Sequence, residues 1–323
     1  MDRECTNESL SPLVHGDAGG NDDPFFDVVT VSDMNLFRRR EQIRPELATA
    51  LAQLEQLAES QPALRSAARL QGAIMRVIYR DLPASGALDL APERAAEKLR
   101  VGTPLLRDEP VPLDLPAIEA LMLQLCGIAR EHGDAAEAAR AIDAALRRRT
   151  LDAGRLAGQV LLGQASAIRE RAAELGVDGE LLCALLRFSL FPALATAAAQ
   201  LAPLLTAARW EQGYCPICGS WPLLAEQRGL EQVRFLRCGL CAAEWATDRL
   251  RCLFCGSRDH EDLGYLHVEG DDQKRAVTCE RCRGYIKVLA SLAPIPPLDL
   301  VVHDLATIHL DLVAIERGYT API

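Results

Sequence analysis

CPICGS, residues 215–220, decides how the last third of the chain is interpreted, because three more CxxC pairs follow it. These are CGLC at 238–241, CLFCGS at 252–257 and CERC at 279–282. Eight of the 11 cysteines therefore fall between positions 215 and 282. Cysteine pairs at this density serve as disulfides, redox pairs or metal ligands, and the residues between the pairs distinguish these uses.

The segments between the pairs have the pattern of β-hairpins. Between the first two pairs, residues 221–227 and 232–237 read as strands around a turn at 228–231. Between the last two pairs, residues 262–270 and 274–278 read as strands around a turn at 271–273. A short strand with an aromatic residue follows each closing pair, Trp245 in one case and Tyr285 in the other. The region is therefore a diverged internal repeat of CxxCGS, hairpin, CxxC and strand.

The repeat predicts which cysteines share a site, because a hairpin brings its two ends together. Two opposed CxxC turns can place four thiolates in a tetrahedron, each about 2.3 Å from a metal ion. Gly219 and Gly256 follow the second cysteine of their pairs and allow the backbone to turn its amides toward the sulfurs. The sequence predicts two mononuclear four-thiolate sites, one of Cys215, Cys218, Cys238 and Cys241 and one of Cys252, Cys255, Cys279 and Cys282.

Three other uses compete with this interpretation. Dithiol redox proteins usually place CxxC at the start of a helix, whereas each pair here lies in a β-turn context and has a partner pair. The chain also contains an HxE pattern followed by CxxC, formed by His267, Glu269, Cys279 and Cys282, which faintly resembles the motif of zinc deaminases. That motif has proline before its first cysteine, where this chain has Thr278. A zinc ribbon that binds nucleic acid or protein is the main alternative. Residues 211–290 contain 11 Arg and Lys against 12 Asp and Glu, and the net charge of the chain is −10, which disfavours nucleic acid.

The rest of the chain predicts an α+β protein. Residues 28–208 repeat apolar residues at spacings of three and four, which predicts a large all-α domain, with Gly176 ending one helix and Asp178 capping the next. Cys126 and Cys183 lie on apolar helix faces and are predicted to be buried thiols. The other parts of the chain have their own predictions. Residues 1–27 are predicted to be a disordered acidic tail. Two small four-cysteine β-modules of the rubredoxin or zinc-ribbon kind are predicted at 209–250 and 251–293, and a linker with one C-terminal helix is predicted at 294–323.

Two segments need a closer interpretation. Residues 188–208 carry no charge and are long enough to cross a membrane, but Pro192, Pro203 and Gln200 favour a buried helix that breaks at the prolines. In the C-terminal helix, Asp304 is the predicted N-cap, with Leu305, Ile308, Leu312 and Ile315 on or near one face.

The first residues lack the charged and apolar regions of a secretory signal, which predicts a reducing cytoplasmic location without membrane insertion.

Several motifs together resemble the FdhE family of formate dehydrogenase accessory proteins. The resemblance is carried by YCPICGSWPLLAEQ, RFLRCGLCAAEW, RCLFCGS, CERCRGYIKVL and the ending HDLATIHLDLVAIERGY, and it covers roughly residues 28–320. It implies a cytoplasmic, non-enzymatic maturation factor that contacts the catalytic subunit of respiratory formate dehydrogenase. It also implies rubredoxin-like iron binding by the eight cysteines, whereas their spacing alone suits iron and zinc alike. The chain shows no glycine-rich phosphate loop and no GxSxG motif, which agrees with a protein that is not an enzyme.

Overall fold

The structure is a computed structural model that describes residues 43–79, 86–132, 135–207, 209–268 and 270–321. The predicted acidic tail lies outside these residues. Short 3₁₀ turns at Pro62–Leu64 and Ala202–Ala207 flank the helices. The first part of the chain is helical, as predicted, with α1 (Ile43–Ser60), α2 (Arg65–Ile78), α3 (Pro92–Arg100), α4 (Leu115–His132), α5 (Ala136–Arg147), α6 (Ala153–Leu161), α7 (Ala165–Glu174) and α8 (Gly179–Leu201).

The predicted helix boundaries around residues 174–179 are confirmed. Gly176 lies just beyond α7 with φ of +67°, a backbone conformation that glycine adopts without steric cost. The Asp178 carboxylate accepts a hydrogen bond from the Glu180 amide at 3.2 Å and caps α8. These two residues set the turn that leads into the central helix of the protein.

Helix α8 contains most of the uncharged segment 188–208, preceded by Glu180 and Arg187 in its first part. The stretch Gly179–Thr206 is long and apolar enough to cross a membrane by length and composition, but two thirds of its apolar window are buried inside the protein. The predicted break at Pro192 is wrong, because α8 continues through it to Leu201. Pro192 removes one helical hydrogen bond, and the burial of the helix around it offsets this loss. The helix changes to a 3₁₀ turn near Pro203.

Six strands follow the helices and form one sheet. They are β1 (Pro222–Arg228), β2 (Val233–Cys238), β3 (Glu244–Thr247), β4 (Leu263–Val268), β5 (Asp271–Cys279) and β6 (Tyr285–Ser291), in the order β3-β2-β1-β6-β5-β4. Both predicted hairpins and both following strands are confirmed. The predicted turn at 271–273 is wrong, because β5 already begins at Asp271 and the positive φ of +87° falls on Gly270.

The two repeats are joined edge to edge, which the sequence did not indicate. Each repeat is a three-stranded antiparallel meander, and β1 of the first lies parallel to β6 of the second with Ala225 opposite Val288. This junction buries two strands that would otherwise be exposed edges. The α+β class is confirmed, while the division of the chain into separate domains stays a prediction.

The predicted single C-terminal helix is two helices, α9 (Pro297–Ala306) and α10 (Ile308–Glu316). Helix α9 begins at Pro297, where the fixed φ of proline suits a first helical turn, so Asp304 lies inside the helix and does not cap it. Thr307 separates the helices and its hydroxyl donates to the His303 carbonyl at 2.7 Å. On α10, Leu310 and Ala314 are buried, whereas Leu312 and Ile315 of the predicted apolar face point to solvent.

The central strands of the sheet are covered on both faces. On one face Ala225, Leu236 and Val288 belong to a hydrophobic cluster that includes Leu190 and Leu194 of α8. On the other face Leu224 and Leu289 pack against Leu300 of α9.

The face beneath α9 also holds buried charges. The Glu226 carboxylate is fully buried and pairs with Arg228 at 2.8 Å and with Arg237. The buried Lys287 ammonium lies 2.6 Å from Asp304 of α9 and 2.6 Å from Asp311 of α10. The helical part, the sheet and the C-terminal helices therefore pack as neighbours in one structure.

Candidate metal centres

The eight CxxC cysteines lie in the two sets that the repeat predicts. In the first set the Sγ atoms of Cys215 and Cys241 are 3.6 Å apart and those of Cys218 and Cys238 are 3.5 Å apart. In the second set the corresponding distances are 3.7 Å for Cys252 and Cys282 and 3.7 Å for Cys255 and Cys279. Within each set all four sulfur atoms lie within 4.8 Å of one another. We call these sets the first centre and the second centre.

All four CxxC turns share one backbone geometry. The amide of the first cysteine donates to the carbonyl five residues later, as from Cys215 to Ser220 at 2.8 Å and from Cys279 to Gly284 at 2.9 Å. The residue after the second cysteine has positive φ in each turn: Gly219, Ala242, Gly256 and Arg283, with φ of +80°, +59°, +74° and +58°. The sequence indicated the two glycines, but it holds no signal for the positive φ of Ala242 and Arg283, since alanine and arginine rarely adopt this conformation.

Backbone amides point at several of the sulfur atoms. The Leu240 amide donates to the Cys238 sulfur at 3.4 Å in the first centre. In the second centre the contact between the Cys252 and Cys282 sulfurs and the hydrogen bonds that the Cys255 and Phe254 amides donate to Cys252 lower the pKa of Cys252 to about 5, against the opposing effect of burial. Hydrogen bonds to a sulfur favour its thiolate form, which is the form that binds metal ions.

The first centre is enclosed by the helical part of the protein. All four of its cysteines are buried, Cys215 and Cys241 completely. The loop after α3 pairs with its first turn, since the amides of Leu105 and Leu106 donate to the carbonyls of Pro216 and Ile217 at 2.8 and 2.9 Å. Leu105 is itself fully buried and lies in the same hydrophobic cluster as these cysteines. Solvent therefore reaches none of the four sulfurs freely.

The second centre lies at the surface. Cys252 and Cys279 are buried, Cys255 is exposed and Cys282 is half-buried. The chain end supports its last turn from behind: the Thr320 amide donates to the Arg283 carbonyl at 2.8 Å, and the Tyr285 amide donates to the Thr320 carbonyl at 3.1 Å. In both CxxC pairs of this centre, the first cysteine is the covered one and the second is the accessible one.

A buried arginine from the first repeat lies near the second centre. Arg234 on β2 is 3% exposed and donates to the backbone carbonyls of Asp248 and, at 2.9 Å, Arg251. It lines a small cavity together with Cys252 and Cys279. Burial lowers the pKa of Arg234 to about 10, which the nearby Asp248 and Cys252 partly oppose. Its positive charge is placed to offset the negative charge of a metal bound by four thiolates.

The geometry of both centres fits a metal ion with four thiolate ligands. Four sulfurs at about 2.3 Å from a tetrahedral ion are separated by about 3.8 Å, close to the sulfur–sulfur distances in both centres. Four sulfur donors suit zinc and iron, and they leave no coordination position for a water molecule. Such a site contributes to folding or to electron transfer, and it does not activate water for hydrolysis.

The other cysteines and the deaminase-like residues stand apart from the two centres. Cys126 and Cys183 are buried in the helical core, as predicted, and burial raises the pKa of Cys126 to about 11. His267 is exposed on β4, while Glu269 lies outside the described residues. Among the described residues, the two centres are the only groups of three or more metal-binding side chains with close ligand atoms.

The fold and the two centres define a class of protein in which a helical body carries a tandem pair of four-cysteine β-modules. Comparison with known proteins gives the family. Residues 214–249 match the family model described as "FdhE, central domain", and residues 250–322 match "FdhE, C-terminal domain". Residues 214–322 therefore consist of the central and C-terminal domains of the FdhE family.

Curated relatives match more than a third of the chain. A protein FdhE homolog of Aquifex aeolicus is 36% identical over 118 residues, 34% of this chain and 40% of its own. Protein FdhE of Escherichia coli is 38% identical over 132 residues, 38% of this chain and 41% of its own. In these alignments the chain spans about two fifths of the length of the relatives.

A solved structure extends the likeness to the helical part. The crystal structure of the FdhE protein from Pseudomonas aeruginosa is similar with a TM-score of 0.55 and 28% sequence identity. The match covers 89% of this chain and 93% of that one. The arrangement of a helical body before the four-cysteine sheet is therefore shared with that protein.

Proposed function

We propose that the protein is a maturation factor for formate dehydrogenase. It holds two metal ions, one in each four-thiolate centre, and binds the catalytic subunit of formate dehydrogenase in the cytoplasm before that enzyme is complete. Iron is the metal we propose, with zinc as the alternative that the same ligands would accept. The single observation that carries this proposal is that the eight cysteines form two compact sets of four sulfurs within residues that match the FdhE domains.

The chemistry of the centres supports a binding role in preference to catalysis. Each set supplies four sulfur donors, so a bound ion has its usual coordination number without a substrate or a water molecule. Amide hydrogen bonds to the sulfurs and the buried Arg234 help to hold four negative thiolates together. We propose that the bound ions fix the CxxC turns and thereby the loops that meet the partner.

Metal content is the first test. The full chain, purified without oxygen, should carry two metal ions per molecule by elemental analysis and native mass spectrometry. Changing Cys215 and Cys218 to serine should leave one ion, as should changing Cys279 and Cys282. The matched control changes Cys126 and Cys183 to alanine, since these cysteines lie outside both centres, and should retain both ions.

Partner capture is the second test. The tagged chain should retain the formate dehydrogenase catalytic subunit from cells that make the enzyme, and the Cys279 and Cys282 double variant should retain less. Deleting the gene should abolish formate dehydrogenase activity, and the wild-type gene should restore it. Full activity in the deletion strain together with no capture would contradict the proposal. Retention of nucleic acid at moderate salt would instead favour the zinc-ribbon alternative.

A further inference from the structure

The two centres differ in how their sulfurs are covered, and this difference has chemical consequences. All four cysteines of the first centre are buried, and the loop that carries Leu105 closes over one of its turns. In the second centre Cys255 is exposed and Cys282 is half-buried. An incoming ligand can therefore reach two sulfurs of the second centre without any rearrangement of the fold.

We propose that the second centre is a ligand-exchange site for a soft metal ion, whereas the first centre retains its ion. This inference rests on the proposed function, because it requires that both centres bind metal. Cys252 and Cys279 are the anchoring ligands, and Cys255 and Cys282 are the exchanging ligands. The incoming ligand is a thiolate or another soft donor that takes the place of an exposed cysteine.

The exchange step conserves charge and electrons. The incoming thiol loses its proton as its sulfur binds the ion, and the bond from the ion to the Cys255 sulfur breaks. The released Cys255 thiolate takes up a proton from solvent. Four sulfurs bind the ion before and after the step, and no oxidant or reductant takes part.

The backbone of the second centre is held by bonds that do not involve the ion. The Cys252 amide donates to the Ser257 carbonyl at 2.8 Å, and the Cys279 amide donates to the Gly284 carbonyl at 2.9 Å. The ring of Tyr319 lies 4.0 Å from the Arg283 guanidinium, which ties the chain end to the last turn. The two anchoring sulfurs therefore keep their positions while an exposed sulfur leaves and returns.

Metal release from the full chain loaded with two zinc ions tests the inference. Zinc is suitable because it undergoes no redox change. After mixing with excess of a zinc-binding dye, one ion per chain should appear in the dye at least tenfold faster than the other. The rate of the fast phase should rise with dye concentration, because the dye enters as a ligand. A fast phase that is independent of dye concentration would overturn the exchange mechanism.

Cysteine alkylation identifies which centre releases its ion. Quenching at the end of the fast phase with N-ethylmaleimide, followed by peptide mass spectrometry, should find label on Cys252, Cys255, Cys279 and Cys282 and on no cysteine of the first centre. Cys255→Ser should accelerate the fast phase, because three thiolates hold the ion less tightly than four, and should leave the slow phase unchanged. Cys183→Ala is the matched control and should alter neither phase.

The outcomes separate this inference from the proposed function. If two ions bind and leave at the same rate, or if the label falls first on Cys215, Cys218, Cys238 or Cys241, the inference is overturned and the metal-binding proposal stands. If the chain binds no metal, both are overturned. Capture of the catalytic subunit is measured independently of either result.

Discussion

The two four-cysteine centres share a backbone plan but differ in their surroundings. Both use paired CxxC turns at the ends of a hairpin, with the same amide-to-carbonyl bond across each turn. All four cysteines of the first centre belong to a hydrophobic cluster shared with α3, α4 and α8, whereas the second centre contributes Leu253 but none of its cysteines to that cluster. A repeat can thus keep the geometry of a metal site while its environment changes from core to surface.

The different surroundings of the two centres change what is expected of the helical part when metal is removed. The size and periodicity of the helical part predict that it stays folded when metal is removed. One of its two large hydrophobic clusters, however, includes Cys215, Ile217 and Leu240 of the first centre, so removal of that ion would disturb packing that α3, α4 and α8 share. We therefore expect loss of the second ion to leave the helices intact and loss of the first to reduce helical content.

Breaking one ligand in each centre gives the largest expected contrast. Cys241→Ser places a hydroxyl in a fully buried site and removes a ligand of the first centre. Because metal binding contributes about 10–16 kcal/mol to folding in small zinc sites, this loss is comparable with the whole stability of a typical domain. Circular dichroism should show reduced helical signal for Cys241→Ser and a nearly unchanged signal for Cys255→Ser. Equal losses in both variants would contradict the contrast.

Glu226→Gln tests the buried charges of the first repeat. The substitution keeps the shape of the side chain but leaves Arg228 and Arg237 without their shared buried carboxylate. Removing one partner of a buried pair typically costs about 3–5 kcal/mol, and Glu244, which still pairs with Arg228 at 2.7 Å, should keep the loss near the lower end. Chemical denaturation should show a loss of this size. Glu97→Gln, which breaks an exposed pair with Arg100 on α3, is the control and should cost about 1 kcal/mol or less.

Arg234→Gln tests whether the first repeat supports the second centre. The variant removes a buried positive charge near Cys252, so the affinity of the second centre for zinc should fall by about 10- to 100-fold, as is common when a supporting residue of a metal site is lost. The first centre should keep its affinity. Competition with a chelator of known affinity measures both, and Arg249→Gln, at an exposed position, is the control. A loss confined to the first centre would contradict this role.

Acid unfolding offers a smaller test of the buried Glu226 carboxylate. Burial would raise the pKa of Glu226, but hydrogen bonding to Arg228 and the charge of Arg237 bring it below the ordinary value of 4.5. A lowered folded pKa gives stability that is present above pH 4.5 and is lost as the pH falls through the folded value. The free energy of unfolding of the wild type should therefore fall more steeply below pH 4.5 than that of Glu226→Gln. If the free energy of unfolding fell with pH equally in both proteins, Glu226 would not contribute to the acid sensitivity of the fold.

The sequence predicted the parts of the molecule that depend on local pattern. Apolar spacing identified the helices, and the CxxC repeat identified both hairpins and the grouping of the eight cysteines. The metal-binding role of those cysteines stays a prediction. Local pattern worked here because a hairpin fixes which of its residues meet without reference to the rest of the chain.

Features that depend on tertiary packing were not predictable in this way. The parallel junction of β1 with β6 joins strands far apart in sequence, and no local pattern specifies it. Pro192 predicted a break, but a helix buried on most sides tolerates the loss of one hydrogen bond. The unequal exposure of Cys218 and Cys255, which occupy equivalent positions in the repeat, depends on the loop near Leu105 that covers only the first centre.

Ala242→Gly is the smallest expected effect and tests the turn geometry common to both centres. Ala242 follows Cys241 with φ of +59°, where Gly219 and Gly256 occupy the equivalent positions of the opening turns. Glycine relieves the strain of a side chain at positive φ, although it also makes the unfolded chain more flexible. The net result should be a gain of about 0.5–1 kcal/mol in the free energy of unfolding, measured by chemical denaturation of the metal-loaded protein. Ala243→Gly, at a buried neighbour without positive φ, should instead lose stability, and a loss in both variants would show that side-chain packing at Ala242 outweighs backbone strain.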